Sequence, residues 1–298
     1  MSGGGASRRL LLVAASAALA GALLAPRSQL LARDPSKGEL RSQLAFRVCA
    51  DPDNLPFSNE RGQGFENELA RLFADALALP VHYTWHPQTI GFVRNTLGAQ
   101  LCDVIMAINA AHELVQNTRF YYRSTYVLLY RAADRGTFDS LDSPMAVTAR
   151  IGIVANTPPA TLLERRGLIG NVVTYNLIVD TRVEHPAKQA VEDLAAGRID
   201  MALLWGPIAG YWAKQSPVPL EWVPLRPDPG SNVPMDFRIS MGVRYGETEW
   251  LETLNRLIRE KQKDIDRILD AYGVPLLDAR GRLVNPPPWL QATAARGG

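Results

Sequence analysis

The chain has 298 residues, 47% of them hydrophobic, with 32 Lys and Arg against 30 Asp and Glu. A chain of this length and apolar content can bury one or two sizeable cores, which excludes a disordered or fibrous protein. The near-neutral charge, without dense basic blocks, argues against a nucleic-acid partner. The two cysteines and four scattered histidines exclude iron–sulfur centres and cysteine-rich zinc sites.

The first 25 residues have the pattern of a secretory signal. Two arginines precede a charge-free stretch from Leu10 to Leu24, which ends in small residues. About 15 apolar or small residues is short against the roughly 20 that span a bilayer, so we favour cleavage over an uncleaved anchor. The paired arginines also partly match a twin-arginine signal, and both export routes stay open. The sequence therefore predicts a signal peptide at residues 1–25, a linker at 26–43 and no stable membrane insertion after cleavage.

The two cysteines are the candidates for a disulfide. In an oxidising compartment, pairing of Cys49 with Cys102 would close a loop worth about 4 kcal/mol of chain entropy. The alternative is two free, buried thiols. We favour the disulfide by only a small margin, because Cys49 lies late in one predicted strand and Cys102 just before another, which would set them toward opposite ends of parallel neighbours.

Strands and helices alternate in the first half of the chain. Phe46–Ala50 is a short strand, and the loop Asp51–Phe57 that follows is stiffened by two prolines and three short polar side chains. Apolar residues then recur at helical spacing from Phe65 to Leu77. Further predicted elements are a strand at 81–85, a helix at 91–99, a buried strand at 103–108 and a strand at 121–130. This βαβαβ order predicts a parallel sheet with right-handed crossovers.

A second α/β unit follows the polar segment Asp134–Pro144. Its predicted elements are strands at 151–154, 172–175 and 201–205 and helices at 158–165 and 187–196. A strand at 237–243 and a long helix that stops at Gly273 come next, and the proline-rich tail is predicted to be extended. The predicted organisation is a first lobe at 44–130, a second lobe at 131–234 and a return to the first lobe at 235–298.

A ligand site is expected between the two units. Open parallel sheets bind ligands at the carboxyl ends of their strands, near a topological switch point. The loops after Ala50, Ala107, Val154 and Leu204 lie at such ends and are therefore the candidate site loops.

From Phe46 to Tyr272 the chain resembles periplasmic solute-binding proteins of the two-lobed, amino-acid-binding type. The stretches that carry the resemblance are Gly64–Ala70, Cys102–Val104, Tyr121–Ser124, Ile151–Val154 with Asn156–Thr157, and Ala195–Ala202. The resemblance implies an α/β, two-lobed periplasmic binding protein fold of type II, each lobe a mainly parallel sheet flanked by helices.

More particular stretches resemble one branch of that group. They are Cys49–Asn59, Gly91–Leu97, Tyr122–Tyr126 and Trp205–Tyr211. The branch comprises the solute-binding-like proteins of the MxaJ and XoxJ type, encoded beside dehydrogenases that use pyrroloquinoline quinone (PQQ). The resemblance implies a non-catalytic periplasmic protein that assists or matures a PQQ-dependent methanol or alcohol dehydrogenase. That dehydrogenase is the expected partner, its cytochrome c is a further candidate, and no cofactor or metal is expected in this chain.

The predicted cleft contains the candidate residues for contact with a ligand or a partner. They are Asp51, Asn54, Pro56, Phe57, Ser58, Glu66, Asn109, Tyr122, Arg123, Asn156, Thr157, Trp205 and Gly206.

Two departures from amino-acid receptors point away from a free amino acid as ligand. Those receptors hold the ligand carboxylate with an Arg after the third strand, because a guanidinium matches a carboxylate bidentately. Here that stretch is Ala110–Leu114, which has no Arg. The acid that would pair with the α-ammonium group is replaced by Trp205-Gly206-Pro207. The alternative function is therefore an ABC-transporter receptor for another small solute.

Enzymatic chemistry has little support in the sequence. His112-Glu113-Leu114-Val115-Gln116 lacks the second histidine of the zinc-protease pattern. Asp51, Asp53 and Asn54 could ligate a hard cation, but turn formation explains them better. An enzyme on this fold, similar to cyclohexadienyl dehydratase, remains an alternative without a convincing acid–base pair.

Overall fold

The computed structural model describes residues 39–294, so the predicted signal and most of the predicted linker lie outside the described residues. The strands are β1 Phe46–Ala50, β2 Asp53–Asn54, β3 Ser58–Asn59, β4 Val81–Trp85, β5 Val104–Asn109, β6 Gln116–Asn117, β7 Tyr122–Arg131, β8 Ile151–Val154, β9 Val172–Tyr175, β10 Met201–Trp205, β11 Leu220–Pro224 and β12 Asp236–Val243. The helices are α1 Phe65–Ala76, α2 Phe92–Asn95, α3 Pro158–Arg165, α4 Pro186–Ala195, α5 Gly206–Gln215, α6 Thr248–Ala271 and α7 Pro288–Ala294.

Within residues 39–294, ten strands form one curled sheet in the order β4-β1-β5-β12-β7-β10-β8-β9, with β6 paired to β12 and β11 paired to β7. The strands β4, β1 and β5 are parallel, as are β9, β8 and β10. The strands between these two sets pair antiparallel. The predicted α/β, two-lobed architecture is therefore confirmed, but each lobe has a mixed sheet rather than a mainly parallel one.

Lobe 1 is built on β4, β1, β5 and β12, with α1 and α6 over one face. The apolar face of α1 supplies Phe65, Leu69 and Phe73, which are fully buried. From α6, Leu254 and Leu269 join them in one core. Burial of these side chains holds the long terminal helix on the sheet, since each removes a large apolar surface from water.

Lobe 2 is built on β7, β10, β8 and β9. Its sheet is covered on both faces, with separate apolar clusters that include Leu203 on one side and Leu204 on the other. Successive side chains of β10 point to opposite faces, which explains why this strand reads as a continuous apolar run.

The chain passes between the lobes inside a continuous strand. In β7, Tyr122–Thr125 pairs with β12, whereas Tyr126–Arg131 pairs with β10 and β11. The lobes therefore change at Thr125, earlier than the boundary predicted after residue 130. An unbroken apolar strand gives no sequence signal at the point where its pairing partner changes.

The predicted boundaries placed the whole C-terminal tail in lobe 1. In the structure the tail leaves lobe 1 and reaches lobe 2. The side chain of Ser124 donates to the carbonyl oxygen of Pro275 at 2.6 Å, and further along Trp289 Nε1 donates to the carbonyl oxygen of Trp222 in lobe 2 at 3.0 Å. The tail also ends in the short helix α7 instead of remaining extended.

The structure joins Cys49 and Cys102 in a disulfide, with Cα atoms 5.4 Å apart. The expectation that the two would lie toward opposite ends of parallel strands is wrong. Cys49 is level with Ile105 in the β1–β5 pair, but the chain bends at Leu101 and Asp103 before β5 begins. These bends bring Cys102 back to Cys49.

The predicted elements differ from the structure at several points. The predicted helix at 91–99 is a single turn, α2. The helix α5 lies where only a loop after Leu204 was predicted, and its first residues, Gly206-Pro207, have the local pattern of a turn. Proline is nevertheless tolerated in the first turn of a helix, where its missing N–H is not needed. The strand β11, which ends in Pro224, was not predicted.

None of the described helices is both long enough and apolar enough to cross a membrane.

Candidate functional site

A cavity of about 480 Å³ lies between the two lobes. Lobe 1 contributes the loop after β1 and the segment before α2, which include Asn54, Phe57 and Gln88. Lobe 2 contributes the loop between β9 and α4, the start of α3 and the end of β10 with the start of α5. Both walls are therefore made at strand ends, as expected for an open α/β sheet.

The loop after β1 is held on the first turn of α1. The backbone N–H of Glu66 donates to the carbonyl oxygen of Phe57 at 2.8 Å. Asn67 Oδ1 accepts from the N–H groups of Gly64 and Asn59, both at 3.0 Å. A Cβ on Gly64 would lie 2.0 Å from the Phe57 carbonyl oxygen, so only glycine allows this approach.

Asp51 organises the lobe 1 wall and is almost completely buried. Its carboxyl oxygens accept from the backbone N–H groups of Asp53 at 3.0 Å and Gln88 at 2.7 Å. The Asp51 carbonyl oxygen accepts from the buried Ser58 hydroxyl at 2.8 Å. This loop therefore has a fixed shape and presents Asn54 and Phe57 to the cavity.

Glu66 lies behind that wall, and its carboxyl group is fully buried in lobe 1. Burial and then the neighbouring charge of Asp51 raise the pKa of Glu66 to about 8. Its carboxyl group therefore stays largely protonated at neutral pH, because removal from water disfavours the charged form.

Aromatic side chains form the inner end of the cleft. The ring of Trp205 meets Tyr126 edge-on at 5.2 Å and Phe237 at 5.9 Å, measured between centroids. Of these, Trp205 and Tyr126 line the cavity. A wall of this kind suits an apolar or planar surface better than a charged one.

Some of the predicted site residues lie at the cavity, and others lie away from it. The residues at the cavity are Asn54, Phe57, Thr157 and Trp205, with Asp51 bonded to its lining. Pro56, which follows a cis peptide bond, and Ser58 support the loop.

Tyr122, Arg123 and Asn109 do not line the cavity. Tyr122 is buried in the lobe 1 core, and burial raises its pKa. Arg123 donates to Asp236 at 2.6 Å and to tail carbonyl oxygens, so its charge is already paired. Asn109 is exposed at the end of β5 and accepts from Ala111.

Gly206 and Asn156 have backbone roles. A Cβ on Gly206 would lie 2.4 Å from the Thr125 carbonyl oxygen, so this glycine permits close packing rather than ligand contact. Asn156 has a left-handed φ of 59° and is exposed, immediately before Thr157, the N-cap of α3.

Sequence reasoning missed the residues of the loop between β9 and α4. Asn176, Thr181 and His185 all line the cavity. This loop has neither periodicity nor a recognisable motif, so only its position after β9 at a strand end could have pointed to it.

Comparison with known proteins agrees with this two-lobed arrangement. Residues 46–275 match the model of the bacterial extracellular solute-binding proteins, family 3. The chain belongs to this family. A family of solute-binding proteins is extracellular or periplasmic and is not generally catalytic.

Three relatives are notable for how much of their length is matched. The crystal structure of the periplasmic binding protein XoxJ from Methylobacterium extorquens AM1 is 41% identical, with a TM-score of 0.67 over 78% of this chain and 100% of that one. The crystal structure of MxaJ from Methlophaga aminisulfidivorans MPT is 26% identical, with the same TM-score and coverage. Protein MoxJ of Paracoccus denitrificans is 27% identical over 78% of this chain and 89% of its own. The chain is thus similar to MxaJ- and XoxJ-type binding proteins.

Proposed function

We propose that this protein is a non-catalytic periplasmic component that assists or matures a PQQ-dependent methanol or alcohol dehydrogenase. The observation that carries the proposal is the likeness to XoxJ, which extends over the whole of that protein. It is supported by the stretches after β1 and β10 that resemble the same branch. The dehydrogenase is the proposed partner, its cytochrome c a second candidate, and a small molecule in the cleft a candidate ligand.

The cleft mouth offers a surface for such a partner. Ile90 of lobe 1 is 82% exposed, and Leu177 and Ile178 of lobe 2 are 50% and 56% exposed. All three also line the cavity, so they lie at its opening. Exposed aliphatic groups that share one opening are typical of an interaction site. We therefore assign the partner contacts to this mouth and not to Arg123, whose charge is already paired with Asp236.

Co-expression with the dehydrogenase of the same organism tests the proposal. We expect the wild-type protein to raise the active fraction of the dehydrogenase and Ile178→Glu to weaken this effect by tenfold or more, since a charge would be buried at the contact. Val147→Glu is the matched control, because Val147 is also an exposed aliphatic residue of lobe 2 but does not line the cavity.

The transporter alternative predicts a different result. If the wild-type protein neither binds the dehydrogenase nor changes its activity, while a small solute binds with micromolar affinity, the protein is a transport receptor. The cavity volume of about 480 Å³ is within the range of small-molecule sites, so this outcome is a real test.

A further inference from the structure

The two lobes touch directly at a pair of contacts across the cleft. The hydroxyl of Thr181 in lobe 2 donates to Asp51 Oδ1 in lobe 1 at 2.6 Å. Beside it, His185 Nε2 lies 3.5 Å from Asp53 Oδ2. Each contact joins the loop after β1 to the loop between β9 and α4 without any group between them.

The lobe 1 half of this contact is rigid. The Asp51 carboxyl group is buried and is fixed by two backbone N–H groups, those of Asp53 and Gln88. The Asp51 side chain is therefore already held in one orientation before lobe 2 approaches. Little further conformational entropy is lost when Thr181 binds.

The lobe 2 half is also shaped in advance. Asp180 accepts from the backbone and the guanidinium of Arg182, at 3.1 Å and 2.6 Å. Its carbonyl oxygen accepts from the N–H groups of Val183 and Glu184, at 2.9 Å and 3.0 Å. This self-bonded turn presents the Thr181 hydroxyl toward Asp51.

We propose that the Asp51–Thr181 hydrogen bond, assisted by the Asp53–His185 pair, is a latch that holds the lobes closed by direct contact. Closure then does not need a solute to bridge the lobes. In this closed form Ile90 of lobe 1 and Leu177 and Ile178 of lobe 2 line the same cavity. A partner that binds at the mouth can therefore distinguish the closed conformation from the open one. This consequence alone rests on the proposed function.

The distance between the lobes tests the latch. Both native cysteines are in the disulfide, so spin labels can be placed selectively on Asp75→Cys in α1 and Glu164→Cys in α3, both exposed positions. We expect the labelled mature protein, purified without added solute, to show a single short distance. Thr181→Val keeps the side-chain shape and removes the hydroxyl, and should lower the ratio of closed to open molecules by roughly tenfold.

Two further variants complete the experiment. Thr181→Ser should restore the wild-type distance because it keeps the hydroxyl. Thr148→Val should have no effect, because its hydroxyl donates to the Met145 carbonyl oxygen within lobe 2. A wild-type protein that is mainly open, or a Thr181→Val protein as closed as the wild type, would overturn the latch. The dehydrogenase is absent from this measurement, so its result is independent of the partner proposal.

Discussion

Glu66 is a buried acid whose pKa lies well above its ordinary value. It is fully buried, and its pKa is raised to about 8. Unfolding exposes it to water, where its pKa returns to about 4.3. The folded state therefore binds this proton more tightly than the unfolded state, so stability from this group is complete below pH 4.3 and is lost as pH rises toward 8.

Replacing Glu66 with Gln should remove this pH dependence. We expect Glu66→Gln to gain on the order of 4 kcal/mol over the wild type at pH 8 and to lose that advantage below about pH 4.3. Urea unfolding of both proteins from pH 4 to pH 8.5 measures the difference. The exposed Glu60→Gln is the control and should follow the wild type. Parallel pH profiles for wild type and Glu66→Gln would contradict the assignment.

For single residues, the sequence predicts which ones lie at the cleft better than it predicts what their side chains contact. Asn54, Phe57, Thr157 and Trp205 were identified because loops after sheet strands form the cleft. Arg123 was a candidate for contact with a ligand or a partner, and in the structure it forms an ion pair with Asp236, a residue far along the chain that no local pattern identifies.

At the scale of elements, α5 shows how a short contact constrains the fold. It packs against the end of α6 so closely that a Cβ on Gly210 would lie 1.9 Å from the Gly273 carbonyl oxygen. Gly273 itself has a φ of 76°, which glycine adopts without strain. The two glycines together set where the tail leaves α6 for lobe 2.

Gly210→Ala should therefore destabilise the protein by about 1–3 kcal/mol or more, because backbone atoms must move to admit the methyl group. Gly170→Ala is the control, since no atom lies within 4 Å of a Cβ at that position. Thermal unfolding of the two variants tests this prediction. Equal melting temperatures would mean that α5 can move away from α6 without loss of stability.

Element type was predictable where periodicity was strong, as in α1, α6 and the buried strands. It failed at α5, where Gly206-Pro207 has the local pattern of a turn, and at the predicted helix 91–99. There the chain forms one turn, and the hydroxyl of Thr96 bonds back to the Phe92 carbonyl oxygen at 2.7 Å. Such side-chain bonds compete with the helix, and no apolar pattern records them.

At the scale of the whole molecule, the order of α/β units was sufficient to predict two lobes and a cleft. The connections between the lobes were not predictable, because they depend on contacts between distant residues. The tail that reaches Trp222 and the Asp51–Thr181 contact join segments separated by tens to more than a hundred residues. Neither contact produces a hydrophobic periodicity that could be recognised in the sequence.

The chemistry of the closed cleft leads to a prediction about its ligands. A free amino acid carries a carboxylate and an ammonium group, and each must exchange its water for a charged partner on binding. The described residues that line the cavity include no arginine, and the one lysine among them, Lys188, is already paired with Glu192 at 3.3 Å. The end of β10 carries the aromatic ring of Trp205, at the place where the resemblance to amino-acid receptors would put an acid.

We therefore expect that none of the twenty common amino acids raises the melting temperature of the mature protein. A receptor for one of them would gain about 2.7 kcal/mol of stability at a ligand concentration 100 times the dissociation constant, which is readily seen in a thermal scan. The scan should be repeated with Thr181→Val, whose weaker latch populates the open cleft, so that an amino acid which binds only the open form is also detected. A clear shift with any amino acid, in either protein, would show that the lost arginine and acid are replaced by groups that still bind a zwitterion.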